Sequence, residues 1–205
     1  MNPEVITLAM TGASGAEYTL RLMQCLLREK IQIQFITSQP GQIVMGMETE
    51  LKLTGSVQKM RQTFVDYFSA DPALIQVYSR DQWTAPPASG SSVADAMVVC
   101  PCTMGSLASI AVGSSDNLIH RAADVIIKER KTLILVPRET PFSAIHLENM
   151  LKLARLGVVI LPPNPGFYHG VNEVSELVDF IVARILDQLG IDNDLSPRWG
   201  VRIRN

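Results

Sequence analysis

Val5-Ile-Thr-Leu-Ala-Met-Thr-Gly-Ala-Ser-Gly-Ala16 is an apolar run, a turn punctuated by two glycines, and the start of a helical pattern. Residues 5–11 read as a buried strand. Residues 16–28 follow helical spacing, with Leu20, Met23 and Leu27 on one face. A strand that passes through a glycine turn straight into a helix begins an alternating α/β chain.

The alternation continues outward from that segment. Residues 32–37 read as a second strand, residues 38–41 as a polar turn, and the following residues as a helix through Glu48. Residues 51–74 carry a weaker pattern whose second half is helical. Short strands are expected at 75–78, 96–100, 132–136 and 158–161. Helices are expected at 103–112, 118–130, 143–156 and 174–189. Pro, Ser and Gly make a loop of 83–92, and three prolines with two glycines make another of 162–170. The expectation is one α/β domain, residues 1–190, with a mainly parallel sheet and helices on both faces, and a tail at 191–205. Right-handed crossovers put every strand-to-helix loop on one edge, where such sheets bind ligands.

With 205 residues, 47% of them hydrophobic, the chain can bury a single core. A net charge of −2 leaves no basic footprint for nucleic acid. No apolar run is long enough for a membrane span, and the N-terminus lacks a signal pattern, so a cytoplasmic protein is expected. The cysteines, Cys25, Cys100 and Cys102, are odd in number, which argues against a disulfide framework. Neither Cys100-Pro-Cys102 nor the three histidines has metal-ligand spacing, and no metal is expected.

The strand exits carry the chemistry. Gly12-Ala-Ser-Gly15 precedes a helix, whose first N–H groups and positive dipole end suit a phosphate. No Lys follows the second Gly, as a Walker A loop requires, and the third Gly of the dinucleotide fingerprint is missing. Ser38, not an acid, ends the second strand, which fits a mononucleotide better. Pro137-Arg-Glu-Thr-Pro141 holds an Arg and a Glu between two prolines, a stiff presentation of two opposite charges. Its plain alternative is a solvated turn. Arg121 and Lys128 lie nearly two helical turns apart and project from one side, with Asp124 between them as a partner for either. Arg184 stands seven residues after Leu177, on the stripe of Ile181 and Ile185, and must snorkel, pair or face a ligand. Glu48 closes a short helix and could cap, be solvated, or move protons. Trp83 and Tyr168 sit in stiff loops, as pocket walls or as core plugs.

Taken together the chain resembles the flavin prenyltransferases of the UbiX type over essentially its whole length. The matching pieces are Thr11-Gly-Ala-Ser-Gly-Ala16, Pro86-Pro-Ala-Ser-Gly-Ser-Ser92, Asn117-Leu-Ile-His-Arg-Ala-Ala-Asp124 and Lys128-Glu-Arg130. Val136-Pro-Arg-Glu-Thr-Pro141, His146-Leu-Glu-Asn-Met150, Pro165-Gly-Phe-Tyr-His169 and Pro197-Arg-Trp-Gly200 complete the set. The resemblance implies a Rossmann-like or flavodoxin-like fold and a metal-independent transferase. Such enzymes join a dimethylallyl group from dimethylallyl monophosphate to N5 and C6 of reduced FMN. The product serves a UbiD-type decarboxylase, often in ubiquinone biosynthesis, and the family forms homododecamers with flavin near subunit interfaces.

The resemblance also implies roles. Gly12, Ala13, Ser14, Ser38, Thr103, Met104, Gly105, Ser106 and Arg138 match FMN-binding positions. Ser89, Ser91, Arg121, Lys128, Glu139, Tyr168 and Arg184 match positions around the prenyl phosphate, and Trp83 a wall of the prenyl pocket. Glu48, Lys128 and Glu139 match catalytic positions; Glu48, Glu139 and the departing phosphate all remain open as acceptors of the C6 proton. These groups are expected to converge in one cation-rimmed cleft, with Trp199 able to close over it. Gln39, His120 and Met104 depart from the residues common in relatives. Two alternatives stand beside this reading. One is a flavin-dependent cysteine-type decarboxylase of the same fold, whose signatures are replaced here by Pro101-Cys-Thr-Met-Gly-Ser106 and Pro137-Arg-Glu-Thr-Pro141. The other is a flavin carrier without catalysis.

Overall fold

The computed structural model describes residues 3–168, 170–198 and 200. The motif residue His169 and the expected lid residue Trp199 lie outside the described residues.

β1 (Val5–Met10) is central, flanked by β2 (Gln32–Thr37) and β4 (Ala96–Cys102). β3 (Ile75–Tyr78) lies beyond β2; β5 (Thr132–Pro137) and β6 (Val159–Ile160) lie beyond β4. The order β3-β2-β1-β4-β5-β6 is wholly parallel among the described pairings and reverses direction between β1 and β4. That reversal is the switch point at which doubly wound sheets bind ligands. The helices are α1 (Ala16–Arg28), α2 (Gln39–Glu48), α3 (Val57–Phe68), α4 (Met104–Ala111), α5 (Leu118–Lys128), α6 (Ala144–Arg155) and α7 (Val174–Leu189).

Alternation along the strands divides the core in two. Ile6, Leu8 and Met10 point into a layer with α1, α3 and α7; Ala9, Met97, Val99 and Leu135 point into the layer with α4, α5 and α6. α5 and α7 therefore lie on opposite faces of the sheet.

Three boundaries differ from the sequence reading. The polar stretch after β2 is not a turn: Ser38 is the N-cap of α2, its hydroxyl accepting from the Gly41 N–H, with a proline in the first turn. An N-cap Ser with a Pro in the first helical turn is a helix-start signal. β4 runs on through Pro101 to Cys102, with a register shift against β5 between Val99 and Cys102. α5 stops at Lys128, because the chain turns back through Arg130 at φ 56°.

Candidate functional site

The carboxyl ends of β1, β2, β4 and β5 are tied into one rim. Thr11, almost fully buried, organises it: its N–H and its hydroxyl both donate to the Pro101 carbonyl, and the hydroxyl accepts from the Thr103 N–H at 2.8 Å. The Ser38 N–H donates to the Met10 carbonyl and the Arg138 N–H to the Cys102 carbonyl. These bonds draw Gly12–Ser14, Ser38, Thr103–Ser106 and Arg138 side by side at the switch point. Gly12 is required there, since a Cβ would lie 2.3 Å from Cβ of Pro40. Thr103 caps α4 by accepting from the Ser106 N–H, and its hydroxyl also meets that of Ser106 at 3.0 Å. A Cβ on Gly105 would meet nothing, so this turn offers an open backbone surface. The side chain of Met104 is buried in the core beside Leu107 and Ile110, leaving only its backbone to face the rim.

Glu48 occupies the N-terminus of α1. Its Oε2 accepts from the Gly15 N–H at 2.8 Å and the Ala16 N–H at 2.9 Å. Partial burial pushes its carboxyl up, but hydrogen bonds from Ser14, Ala16 and Gly15 and the charge of Arg138 outweigh this. The net position is below the usual carboxylate range. The expectation that α1 offers unpaired N–H groups to a phosphate is therefore corrected: a carboxylate from α2 already holds them. The donors left for an anion are the turn before Gly15, the hydroxyl of Ser38 and the Met104 and Gly105 amides at the start of α4, with the Ser14 hydroxyl added once it turns away from Glu48.

A second group lies beside α5. Arg121 donates from Nε to the Ala88 carbonyl at 3.1 Å and pairs with Asp124 at 2.9 Å. Lys128 pairs with Glu129 instead of Asp124, and the pair rests against Gly90, where a Cβ would lie 2.8 Å from the Lys128 Nζ. Ser89 and Ser91 share a hydrogen bond of 3.0 Å and are exposed. The third group belongs to α7. Arg184 is not turned into the core: it pairs with Asp187 at 2.6 Å and is half-exposed. Its row on α7, which includes the half-buried Leu177, borders the core stripe of Ile181, Val182, Ile185 and Leu186. Tyr168 packs edge-on against Phe180. Both Tyr168 and Trp83 are about half exposed, so neither is a core plug. Glu139 follows β5, where its carboxylate accepts from the Thr140 N–H.

One protomer does not gather these groups into a single cleft, as the sequence reading expected. Arg121 and Lys128 stand on α5 and Arg184 on α7, with the sheet between them. The sequence reading also passed over Thr11, Asp187 and Arg198. Thr11 gave a signal, as a polar residue closing an apolar run before a glycine turn, and Arg198 stands in the Pro197-Arg-Trp-Gly200 motif without a role having been read for it; Asp187 gave none. Among the described residues no group of three His, Cys, Asp or Glu side chains could hold a metal ion, and no helix is long and apolar enough to cross a membrane.

A parallel sheet with a hydroxyl-rich, glycine-lined rim at its switch point defines a mononucleotide-binding α/β domain. The family model described as Flavoprotein matches residues 1–186, and a flavin prenyltransferase UbiX from Pseudomonas aeruginosa is 56% identical over 97% of this chain and 95% of its own length. The chain belongs to the Flavoprotein family and, within it, to the flavin prenyltransferases of the UbiX type. Two crystal structures share the fold. AnUbiX (PadA1), in complex with FMN and dimethylallyl pyrophosphate, is 38% identical with a TM-score of 0.85, covering 98% of this chain and 99% of that one. The dodecameric FMN-dependent UbiX-like decarboxylase from Escherichia coli O157:H7 is 37% identical with a TM-score of 0.84, covering 96% and 100%.

Proposed function

We propose that this protein transfers the dimethylallyl group of dimethylallyl monophosphate to N5 and C6 of reduced FMN, and that neighbouring copies complete its site. The reading rests on one observation. A rim prewired for a flavin coexists with more cations than a carrier needs, in a chain that aligns almost end to end with a relative holding both FMN and an allylic phosphate ester.

The flavin supplies the nucleophilic N5 and C6; the chain supplies the rest. Gly12, Ala13, Ser14 and Ser38 hold its phosphate region. Thr103, Met104, Gly105, Ser106 and Arg138 hold its ring. Lys128, Arg121 and Arg184, with Ser89, Ser91, Glu139 and Tyr168, take the prenyl phosphate. Their charge stabilises the anion that departs with the electron pair of the allylic C–O bond. Trp83 presents an aromatic face to the developing allylic cation. Joining C6 as well needs one proton delivered to the alkene, balancing the one lost from N5, and one taken from C6; Glu48, Glu139 and the departing phosphate are the groups placed for that exchange. The contacts that keep Glu48 ionised also lower its basicity, so it acts best once the Ser14 hydroxyl turns to another acceptor.

Because α5 and α7 stand on opposite faces, we assign the phosphate groups to different protomers of a homo-oligomer, for which the dodecameric Escherichia coli relative is precedent. The product passes to a UbiD-type decarboxylase, which follows from the resemblance alone. The test is anaerobic incubation of the purified protein with reduced FMN and dimethylallyl monophosphate, followed by mass spectrometry of the flavin. A gain of one C5H8 unit is expected. Unmodified flavin, under conditions where a related enzyme reacts, overturns the reading in favour of a carrier.

A further inference from the structure

The residues after α7 fold back onto its last turns and bring a second guanidinium to Asp187. Arg198 Nη1 lies 2.7 Å from Oδ1 and 2.8 Å from Oδ2 of Asp187, while Arg184 Nη1 lies 2.6 Å from Oδ2. Asn193 holds the fold-back in place: its Nδ2 donates to Oδ1 of Asp187 at 3.1 Å, and its carbonyl accepts from Arg198 Nη2 at 3.3 Å. The Asp187 side chain is only 16% exposed, against 52% for Arg184 and 48% for Arg198. Two cations therefore share one largely enclosed carboxylate, beside a cavity of about 170 Å³ lined by Tyr168, Phe180 and both arginines. An isolated Arg184–Asp187 pair would be neutral and self-satisfied. Adding Arg198 sets two guanidinium groups against the single carboxylate of Asp187 at that cavity.

We propose that Arg198 is a positioning residue: by sharing Asp187 it loosens that carboxylate's hold on Arg184, so that the Arg184 guanidinium can turn to the prenyl phosphate. This deepens the reading of Arg184 as a phosphate-binding group and rests on it. A carboxylate shared with Arg198 and Asn193 holds Arg184 less firmly than one that has Arg184 alone. One without Arg198 competes with the substrate for Arg184 directly.

The test is KM and kcat for dimethylallyl monophosphate, with reduced FMN, on the full chain. Arg198→Ala is expected to raise KM about tenfold, the loss of one hydrogen-bonded charge, and to leave kcat within about twofold. Arg198→Lys restores part of the loss. The discriminating variant is Asp187→Asn combined with Arg198→Ala, since a neutral amide does not detain Arg184 and KM returns toward the parent value. A KM that stays high in the double variant overturns the positioning role and puts Arg198 on the phosphate itself. Arg184→Ala separates the proposal from its foundation. If it raises KM while Arg198→Ala does not, the proposal fails and Arg184 keeps its role. If Arg184→Ala changes nothing, both fail. Should Arg198→Ala not fold, Asp187→Asn alone decides: KM unchanged or lowered supports the proposal, and a rise overturns it.

Discussion

The rim at the switch point and the groups we assign to the prenyl phosphate are built in opposite ways. Rim contacts join residues far apart in sequence: Thr11 to Pro101 and Thr103, Ser38 to Met10, Glu48 to Gly15 and Ala16. The groups assigned to the prenyl phosphate rest mainly on near neighbours: Lys128 on Glu129, Arg184 on Asp187, Glu139 on Thr140, and Arg121 on Asp124, with one longer-range bond from Arg121 to the Ala88 carbonyl. A rim held by tertiary contacts is shaped before its ligand arrives. Side chains parked in local pairs at the surface are held weakly, since exposed pairs are worth at most about 1 kcal/mol. They can be redirected by a partner subunit or a phosphate at little cost. The molecule thus has one region fixed by its own fold and another left for assembly and substrate to set.

The sharpest way to break this contrast is Lys128→Ala. Prenyl transfer should fall by roughly 10²–10³-fold, the cost of removing one charge that stabilises the departing phosphate in the transition state. FMN affinity, measured by fluorescence titration, should stay unchanged. Equal loss of both would mean that the two regions are one. Next is Thr11→Val, which strips the hydroxyl that both donates to Pro101 and accepts from Thr103. The Pro101 carbonyl keeps the backbone N–H of residue 11, and the Thr103 N–H left without its acceptor should cost about 1–3 kcal/mol in urea unfolding, and FMN binding should weaken with it. Unaltered FMN affinity would show that the rim does not need this tie.

Glu48→Gln tests the cap on α1 and should destabilise the fold by about 1 kcal/mol. Its pH dependence has a definite sign. The folded carboxyl lies below its unfolded value, near 4.3 for Glu, so its stabilisation is complete above that value. It is lost as pH falls through the folded pKa, and the variant should lose less stability than the parent across that acid window. The smallest effect is expected from Gly90→Ala. The new methyl meets the flexible ends of Lys128 and Glu129, so the pair shifts aside. Melting temperature should hardly move, while KM for the prenyl phosphate should change about two- to fivefold. A change confined to melting temperature would contradict the placement of Lys128 at the site.

The fold was legible because its strands are short apolar runs bounded by Gly, Pro and polar residues, and its helices repeat at helical spacing. Where the reading failed, one local rule was set against another. Ser38-Gln-Pro-Gly41 holds turn residues, yet an N-cap Ser with Pro in the first turn also starts a helix, and the helix prevailed. Spacing put Arg184 on the row of Leu177, but not at the border of the core stripe, which depends on how α7 tilts against α1 and the sheet. Motifs located the rim turn by turn. Nothing local could show that Glu48 reaches an amide more than thirty residues away, or that the tail returns to Asp187. Nor does spacing reveal a sheet standing between α5 and α7.

The three thiols have a consequence of their own. Cys25, Cys100 and Cys102 are free and buried, and burial pushes all three up, Cys102 to about 12. A reduced flavin generates peroxide whenever oxygen reaches it, and peroxide attacks thiolates, which these sulfurs scarcely form. The catalyst is thus shielded from its own by-product, and a disulfide reagent such as Ellman's would label it only as fast as the native state opens.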